Sequence, residues 1–343
     1  MTKLKFLPVD DPKQWDSFVQ SQERYSFVQS AKYTWVLETM SESMERMGVY
    51  FNNTLVALLP LAVVAAKRGR YVRLWHGPIL SPAAQNSNFF EQILAYLEKY
   101  AKKHKANFVR IHPMDLDDKA LFKRGLYSAP THNLDAEHTL QLSLKDRTVK
   151  DVFTEMRKNT RYYIRKAGRE GTTVVVANND FENFYKLLLE TAKRQGYILR
   201  SEDYFRRLFD AFNGDGLTLY FAEVNGKKVG IGLFLNYGKY RFYLEGGMNP
   251  EFSKNYPAYA IQGQSIIDAI EQKVETYDFW GGISPKDKNG NTVKNYPWAG
   301  IDMFKRGFGG EEISMVHPYD LPINMKYWFT WLVETIERKR KGY

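Results

Sequence analysis

Cysteine is absent from this chain of 343 residues. Its absence excludes a disulfide framework, a thiolate nucleophile and a cysteine-ligated zinc site. A thioester acyl-enzyme is excluded for the same reason. A chain without thiols is compatible with a reducing cytoplasm.

Long apolar segments are absent as well. The longest apolar run, LVALLPLAVVAA, covers only residues 55–66, whereas a helix that spans a bilayer needs about 20 residues. We therefore interpret this run as buried strand. The first residues, MTKLKFLPVDDPKQW, lack the apolar core of a secretory signal. We expect a soluble, cytoplasmic protein.

Several familiar catalytic motifs are missing. The six histidines form no HxxxH or HExxH pair, which argues against a metal site. Neither a GxSxG nucleophile elbow nor a Walker phosphate loop occurs. Where an acetyl-CoA enzyme would carry a glycine-rich pyrophosphate loop, the chain reads AYAIQGQSI. The sequence therefore argues against ordinary acetyl-CoA chemistry and predicts neither a metal nor another cofactor.

Positive charge is in excess, with 49 Lys and Arg against 39 Asp and Glu, a net charge of +10. Such an excess favours anionic partners, namely nucleic acid, nucleotide phosphates or an acidic membrane surface, although many soluble enzymes are equally basic. The length suggests two domains of roughly 100–200 residues each.

The order of predicted elements repeats. Each half predicts two or more helices, a hairpin, a strand, a helix and a further strand. The hairpins turn at Asn52-Asn53 and Asn225-Gly226, residues that accept the positive φ angles of a tight turn. Predicted helices cover residues 15–20, 31–40, 89–105, 149–169, 180–195, 202–212 and 258–274. The repeated order predicts an α+β fold of two tandem acyl-CoA N-acyltransferase (GNAT)-like domains, with mixed sheets splayed to hold an acyl donor.

A basic stripe is predicted on the helix 149–169, where Arg157, Arg161, Arg165 and Arg169 recur every four residues. Guanidinium groups in a row suit phosphates, because each can donate two parallel hydrogen bonds to one anion. The alternative interpretation is a solvated basic edge of the helix.

Three other segments are weaker candidates. In GIDMFKRGFGG, Phe304 and Lys305 stand just before a glycine-rich turn, where a lysine can stabilise an oxyanion or a phosphate. The alternative is a loop with a surface lysine. Arg200 and Tyr204 lie four residues apart near a helix start and share a face. Lys32 lies at the beginning of another predicted helix.

The segment MRKNTRYYIRKAGREG resembles the TRY-x-IR-x-A-x-x-x-G signature of the Fem family of peptidyltransferases. Further segments follow in the family's order, so that the resemblance covers nearly the whole chain. They include FVQSAKYTW, FVRIHP, ILRSEDYF, YLEGGMNPEF, NYPAYAIQGQSI and IDMFKRGFGG.

The resemblance implies the compact FemX-type architecture without a coiled-coil arm. One GNAT-like domain would comprise residues 1–145 completed by 313–343, and the other residues 146–312. The implied activity is transfer of Gly, Ala or Ser from aminoacyl-tRNA, the co-substrate, to the third-position side-chain amine of a peptidoglycan stem peptide. The acceptor would be UDP-MurNAc-pentapeptide or lipid II. We further expect a monomer with peripheral contact to the inner face of the membrane.

The resemblance also implies roles for individual residues. The catalytic lysine falls on Lys305, preceded by Phe304, and we expect Lys305 to stabilise the tetrahedral oxyanion. The expected substrate-binding residues are Lys32, Arg200 and Tyr204 for the acceptor diphosphate, Tyr256 for a pocket, and Arg161 and Arg165 from the basic stripe.

The chain departs from the family at a strand end that carries an acid in many relatives. Here it reads RIHP, so that a role in handling the acceptor amine would fall to His112 or Asp115. Three alternatives stay open: an acyltransferase that uses acyl-CoA, an aminoacyl-tRNA transferase with an acceptor outside the cell wall, and a non-catalytic tRNA- or membrane-binding module.

Overall fold

The computed structural model describes residues 3–85, 88–114, 125–131, 136–284 and 298–340. The chain divides into two compact units, residues 1–137 with 314–343 and residues 138–313. The strands are β1 (Lys5–Pro8), β2 (Ser43–Phe51), β3 (Thr54–Ala66), β4 (Gly69–Leu74), β5 (Ile79–Leu80), β6 (Phe108–Ile111), β7 (Tyr127–Ser128), β8 (His138–Ser143), β9 (Thr172–Val176), β10 (Leu217–Val224), β11 (Lys227–Tyr237), β12 (Tyr240–Met248), β13 (Thr276–Asp278), β14 (Glu311–Ser314) and β15 (Tyr319–Pro322).

The helices lie between these strands and at the carboxyl end of the described chain. They are α1 (Pro12–Gln20), α2 (Ala31–Leu37), α3 (Pro82–Gln85), α4 (Phe89–Lys103), α5 (Val149–Glu155), α6 (Lys158–Arg169), α7 (Phe181–Gln195), α8 (Glu202–Phe212), α9 (Pro257–Glu271), α10 (Ala299–Arg306) and α11 (Lys326–Arg340). Among the described residues, no helix combines the length and the apolar composition that crossing a bilayer requires.

The sheet of the first unit has the order β1-β2-β3-β4-β6-β15-β7, with β5 also paired to β3. Its long apolar strand β3 is buried along most of its length, as the run at 55–66 predicts. The apolar side of α4, which repeats every 3.6 residues, is buried as predicted. In the middle of the sheet, β4 and β6 are parallel and paired from Val72–Val109 to Leu74–Ile111.

The sheet of the second unit has the order β14-β8-β13-β12-β11-β10-β9. Its seven strands repeat the order of the first sheet apart from β5, with a parallel pair, β12 and β13, in the middle. The strand beyond that pair is β15 in the first unit and β8 in the second. The prediction of two tandem GNAT-like units is therefore confirmed in the sheet topology. The boundary expected after residue 145 falls beyond β8, which pairs with β13 and belongs to the second unit.

The parallel pair of the second sheet separates along its length. Pairing of β12 with β13 ends at Phe242 and Asp278, whereas β12 continues beside β11 as far as Met248. The β11–β12 register also shifts between Leu233 and Phe234, so that β12 has one extra residue there. The predicted splay of the sheet is therefore present in this unit, just after the last paired residues.

The prediction of a single helix over 149–169 is wrong. Met156 and Arg157 have extended backbones with ψ of 150° and 146°, and they separate α5 from α6. The Arg157 amide donates to the carbonyl of Gly307 at 2.9 Å. Thr160 packs so closely on Gly307 that a Cβ there would lie 2.5 Å from its hydroxyl oxygen. This long-range contact fixes the break between α5 and α6 and makes Arg157 the N-cap residue of α6.

Candidate active site

Lys305 lies at the point where β12 and β13 separate. It is carried by α10 and is only 5% exposed, so the alternative of a surface lysine on a loop is wrong. Its Nζ donates to the carbonyls of Phe279 at 2.6 Å, Trp280 at 3.2 Å and Gly281 at 2.8 Å. These residues directly follow β13, and all three N–H donors of the ammonium are therefore used by the main chain.

A left-handed turn presents these carbonyls. Trp280, Gly281 and Gly282 have φ of 52°, 68° and 67°, a conformation that favours glycine. A Cβ on Gly282 would lie 3.0 Å from Ile301 Cγ2 and 3.3 Å from Lys305 Nζ. The sequence WGG after β13 is thus the local reason why the turn closes around the lysine.

Two carboxylates near Lys305 are occupied by structural hydrogen bonds. Asp278 is fully buried and accepts from Thr139 Oγ1 at 2.5 Å, Gln141 Nε2 at 2.8 Å and the Trp280 amide at 2.7 Å. Asp302 accepts from the Ser284 amide at 3.0 Å and from Arg306 Nε at 2.8 Å. These two acids hold the turn and α10 in place and are poorly suited to proton transfer.

Glu245 is the third carboxylate and differs from both. It lies on β12, three residues beyond the last residue paired with β13, and it is half-buried. Within the described part of the chain its carboxylate accepts no hydrogen bond. Burial raises the pKa of Glu245 to about 7, although the charges of Arg200 and Lys305 act in the opposite direction.

The pKa of Lys305 is also shifted toward neutrality. Burial lowers the pKa of Lys305 to about 8, against the influence of Asp278, Glu245 and Asp302, which favour the charged form. Its Nζ also lies 5.4 Å from the ring centre of Tyr243 on β12. Lys305 and Glu245 thus influence each other's charge, and each has a pKa shifted toward neutrality, a pattern typical of functional sites.

Arg200 and Tyr204 are brought together, as their spacing predicts. The guanidinium carbon of Arg200 lies 4.8 Å from the ring centre of Tyr204. Tyr204 is buried on α8, whereas Arg200 is exposed just before that helix. Because Arg200 lowers the pKa of Glu245, its charge acts on the same carboxylate as Lys305. Arg200 therefore lies on the solvent side of the charged cluster.

Phe304 and Tyr256 are connected through a row of aromatic rings. Phe304 meets Tyr259 edge to face at 5.0 Å, and Tyr259 lies 5.0 Å from Tyr163. Tyr163 in turn stacks on Tyr256 at 4.8 Å. Tyr256 has a φ of 55° and caps the start of α9. The row links the helix that carries Lys305 to the start of α9, and it gives the site an apolar wall.

The remaining predicted residues are not gathered around Lys305 in the same way. Arg161 Nη1 donates to the carbonyls of Thr154 at 2.7 Å and Met156 at 2.6 Å, so it closes the end of α5 rather than facing a ligand. Arg165 is exposed one turn further along α6. Lys32 belongs to the first unit, on α2.

His112 also belongs to the first unit. It is buried, and its ring lies 5.1 Å from that of His76. Asp115 lies outside the described residues.

The sequence reasoning missed Glu245 and Tyr243. The available signal was the string YLEGG, in which an acid on a strand precedes two glycines. A Cβ at Gly246 would lie 1.7 Å from the hydroxyl oxygen of Tyr243, so the tyrosine occupies the space of the missing side chain. The first glycine therefore fixes the position of Tyr243 beside Lys305.

The sequence profile of the FemAB family matches residues 11–134, 123–230 and 228–335. The chain belongs to the FemAB family. It is 31% identical over 126 residues to UDP-N-acetylmuramoylpentapeptide-lysine N(6)-alanyltransferase of Weissella viridescens, over 36% of this chain and 37% of that enzyme. It is 26% identical over 159 residues to lipid II:glycine glycyltransferase of Staphylococcus haemolyticus, over 40% and 36%. These two matches thus span little more than a third of each relative.

A longer match and two solved structures extend the comparison. Aminoacyltransferase FemA of Staphylococcus aureus is 21% identical over an alignment of 402 residues, covering 91% of this chain and 94% of FemA. The crystal structure of FemX superposes with a TM-score of 0.79 at 16% identity, covering 96% of this chain and all of FemX. A tandem GNAT protein from the clavulanic acid pathway gives 0.59 at 13% identity, covering 94% and 99%. This FemAB-family chain therefore has the tandem GNAT-like fold.

Proposed function

We propose that this FemAB-family protein is an aminoacyltransferase. It moves Gly, Ala or Ser from aminoacyl-tRNA to the side-chain amine at the third position of a peptidoglycan stem peptide, on UDP-MurNAc-pentapeptide or lipid II. The observation that carries the proposal is the cluster of Lys305, Glu245 and Arg200 at the splayed strands. The family membership supports it, as do the names of the relatives, an alanyltransferase acting on a pentapeptide lysine and a lipid II glycyltransferase.

The chemistry needs few groups because an aminoacyl ester is already activated. The acceptor amine attacks the ester carbonyl, the new C–N bond forms, and the ester C–O bond breaks to release the ribose hydroxyl of the tRNA. Holding amine and ester together supplies up to about 7–11 kcal/mol in favourable cases. The remaining tasks are to remove one proton from the amine and to stabilise the negative charge of the tetrahedral intermediate.

We assign Glu245 as the base that removes the proton from the acceptor amine. A base is most effective when its pKa lies near the working pH, and burial brings the pKa of Glu245 to about 7. Asp278 is less suitable because both of its carboxylate oxygens accept hydrogen bonds from neighbouring donors, and Asp302 is less suitable because its Oδ1 accepts from the Ser284 amide and from Arg306. This assignment supplies the base that the sequence alone leaves unnamed.

We assign to Lys305 the stabilisation of the negative charge of the tetrahedral intermediate. This role differs from the expected one in that no direct hydrogen bond is involved. Since its three N–H groups are used by the carbonyls of residues 279–281, we assign to it a through-space effect of its positive charge. It also holds the turn that follows β13. Phe304 and Tyr256, at the ends of the aromatic row, bound the apolar side of the pocket.

Arg200 is assigned to the acceptor diphosphate. It is exposed, and its guanidinium lies against the ring of Tyr204. A planar guanidinium suits phosphate oxygens because it donates paired hydrogen bonds. Lys32 and Arg165 are proposed as further phosphate contacts. Arg161 is not included, because its guanidinium closes α5.

The test is a transfer assay with the purified protein. Charged tRNAs are incubated with UDP-MurNAc-pentapeptide or with lipid II, and the product mass should increase by one glycyl, alanyl or seryl residue. Transfer from acyl-CoA without tRNA, transfer only to acceptors outside the cell wall, or tRNA binding without any transfer would each overturn the proposal in favour of a different function.

A variant tests the diphosphate contact. Arg200→Ala should raise the KM for UDP-MurNAc-pentapeptide by roughly tenfold or more, since loss of a charged hydrogen-bond donor costs about 1.5–3 kcal/mol. The KM for MurNAc-pentapeptide, which lacks the diphosphate, should stay unchanged. Arg206→Ala, an exposed arginine on α8 that pairs with Glu182 and Glu202, is the matched control. Equal losses with both acceptors would contradict the assignment.

A further inference from the structure

The last described helix carries an exposed apolar stripe. We call Met325, Phe329, Leu332 and Ile336 the α11 stripe; each is 52–80% exposed. Met325 directly precedes α11. Successive helical residues are rotated by about 100°, so the three helical positions, Phe329, Leu332 and Ile336, fall within an arc of about 60° on one side of α11. Large apolar side chains that are exposed together, rather than singly, mark an interaction surface.

The stripe is not explained by packing within the first unit, because the opposite side of α11 is already packed there. Tyr327 and Thr330 are buried, and the Tyr327 ring lies 5.3 Å from that of Phe108. Glu334 accepts from Arg110 Nη2 at 2.9 Å. The helix is thus fixed by one side, and the α11 stripe points away from the unit's core.

The charges of the helix are sorted in the same way. Its two acids, Glu334 and Glu337, each lie 3.6 Å from the Arg68 guanidinium, and their side chains are 18% and 54% exposed. Lys339 and Arg340 are exposed, and helical geometry places one on each side of the stripe, about 20° beyond its edges. An apolar stripe with basic residues at both edges is typical of a helix that lies in a membrane interface.

We propose that the α11 stripe, with Lys339 and Arg340, docks on a bilayer surface that bears anionic phospholipid headgroups. The apolar side chains enter the boundary between headgroups and acyl chains, and the two cations contact lipid phosphates. Charge complementarity selects this occupant, since two cations flank the stripe, whereas both acids of the helix lie within 3.6 Å of the Arg68 guanidinium. The inference does not depend on the proposed transfer reaction.

The experiment is co-sedimentation of the full chain with vesicles of equal parts phosphatidylglycerol and phosphatidylcholine. Binding should be strong with these vesicles and weak with phosphatidylcholine alone. Leu332→Ser should lower the partition coefficient by roughly fivefold or more, because the leucine side chain that would be buried in the bilayer is lost. Lys339→Gln and Arg340→Gln should each lower it by roughly fivefold.

The matched control is Leu7→Ser on β1. Leu7 is 50% exposed and Leu332 is 52% exposed, so the same substitution removes a similar apolar surface at a site away from the stripe. Partition should be unchanged in this variant, and thermal unfolding of each variant verifies that it folds. Absence of binding to anionic vesicles, or equal effects of the two leucine variants, would overturn the proposal. So would a protein dimer that dissociates on Leu332→Ser without vesicle binding.

Discussion

Replacing Lys305 by methionine should separate stability from activity. Both side chains are unbranched and similar in length, so the substitution fills the site without the ammonium. It removes three hydrogen bonds to the carbonyls of residues 279–281, at a net cost of about 1 kcal/mol each. Stability therefore falls by about 3 kcal/mol from this term alone.

A second term acts in the opposite direction. Burial lowers the pKa of Lys305 from 10.5 to about 8, which means that the folded protein disfavours the ammonium by about 3 kcal/mol relative to the neutral amine. A thioether does not carry this cost. Because the two terms nearly cancel, we expect Lys305→Met to change the free energy of unfolding by less than about 2 kcal/mol.

The effect on turnover should be much larger. Loss of the charge that faces the tetrahedral intermediate should lower kcat by about 10²–10³. Urea unfolding and transfer kinetics are measured on the same preparation, with the exposed Lys186→Met on α7 as the control for the same chemical change. A loss of stability beyond about 4 kcal/mol, or a kcat within a factor of about three of the unsubstituted protein, would refute this reasoning.

Two further predictions concern the same strands. Transfer should be fastest between about pH 7 and about pH 8, because Glu245 must lose its proton, with a pKa of about 7, and Lys305 must keep its own, with a pKa of about 8. The interaction of the two groups should make Glu245→Gln alter both limbs of the pH–rate profile, and an unchanged profile in this variant would contradict the assignment. Gly246→Ala should destabilise the protein by about 1–3 kcal/mol and displace Tyr243, because the new Cβ overlaps its hydroxyl. The control Gly168→Ala, in open space on α6, should be neutral or stabilising by up to about 1 kcal/mol in urea unfolding.

Elements defined by local signals were predicted closely. The helix expected at 202–212 begins and ends at those residues, with Ser201 as its cap, because capping and a 3.6-residue apolar period are both readable along the chain. Both hairpin turns have two successive residues with positive φ, at Asn52-Asn53 and Asn225-Gly226. In contrast, β8 and β15 were missed, since their place is fixed by partners more than 100 residues away in sequence.

The site was predictable in part, for the same physical reason. Lys305 and Arg200 were predicted through a family resemblance that records which residue types recur, but not what surrounds them. The sequence did not predict that Lys305 lies on a helix or that its Nζ donates to three carbonyls. Both features depend on contacts with a turn that is distant in sequence. Glu245 was missed although two glycines follow it in YLEGG, because an acid on a strand has the same sequence pattern whether it faces water or a buried lysine.

The duplication explains why only one of the two units carries the proposed chemistry. In the first unit the strand ends of the parallel pair stay joined, because the His112 amide donates to the Gly77 carbonyl at 2.9 Å just beyond the paired residues. His76 is held there by Ser26 Oγ, 2.7 Å from its Nδ1, and its carbonyl accepts from Gln29. In the second unit the carbonyls that follow β13, the counterpart of β6, accept hydrogen bonds from Lys305 instead. The fold therefore supplies the same parallel pair twice, and the contacts just beyond it decide whether the strands close on each other or open around a charged side chain.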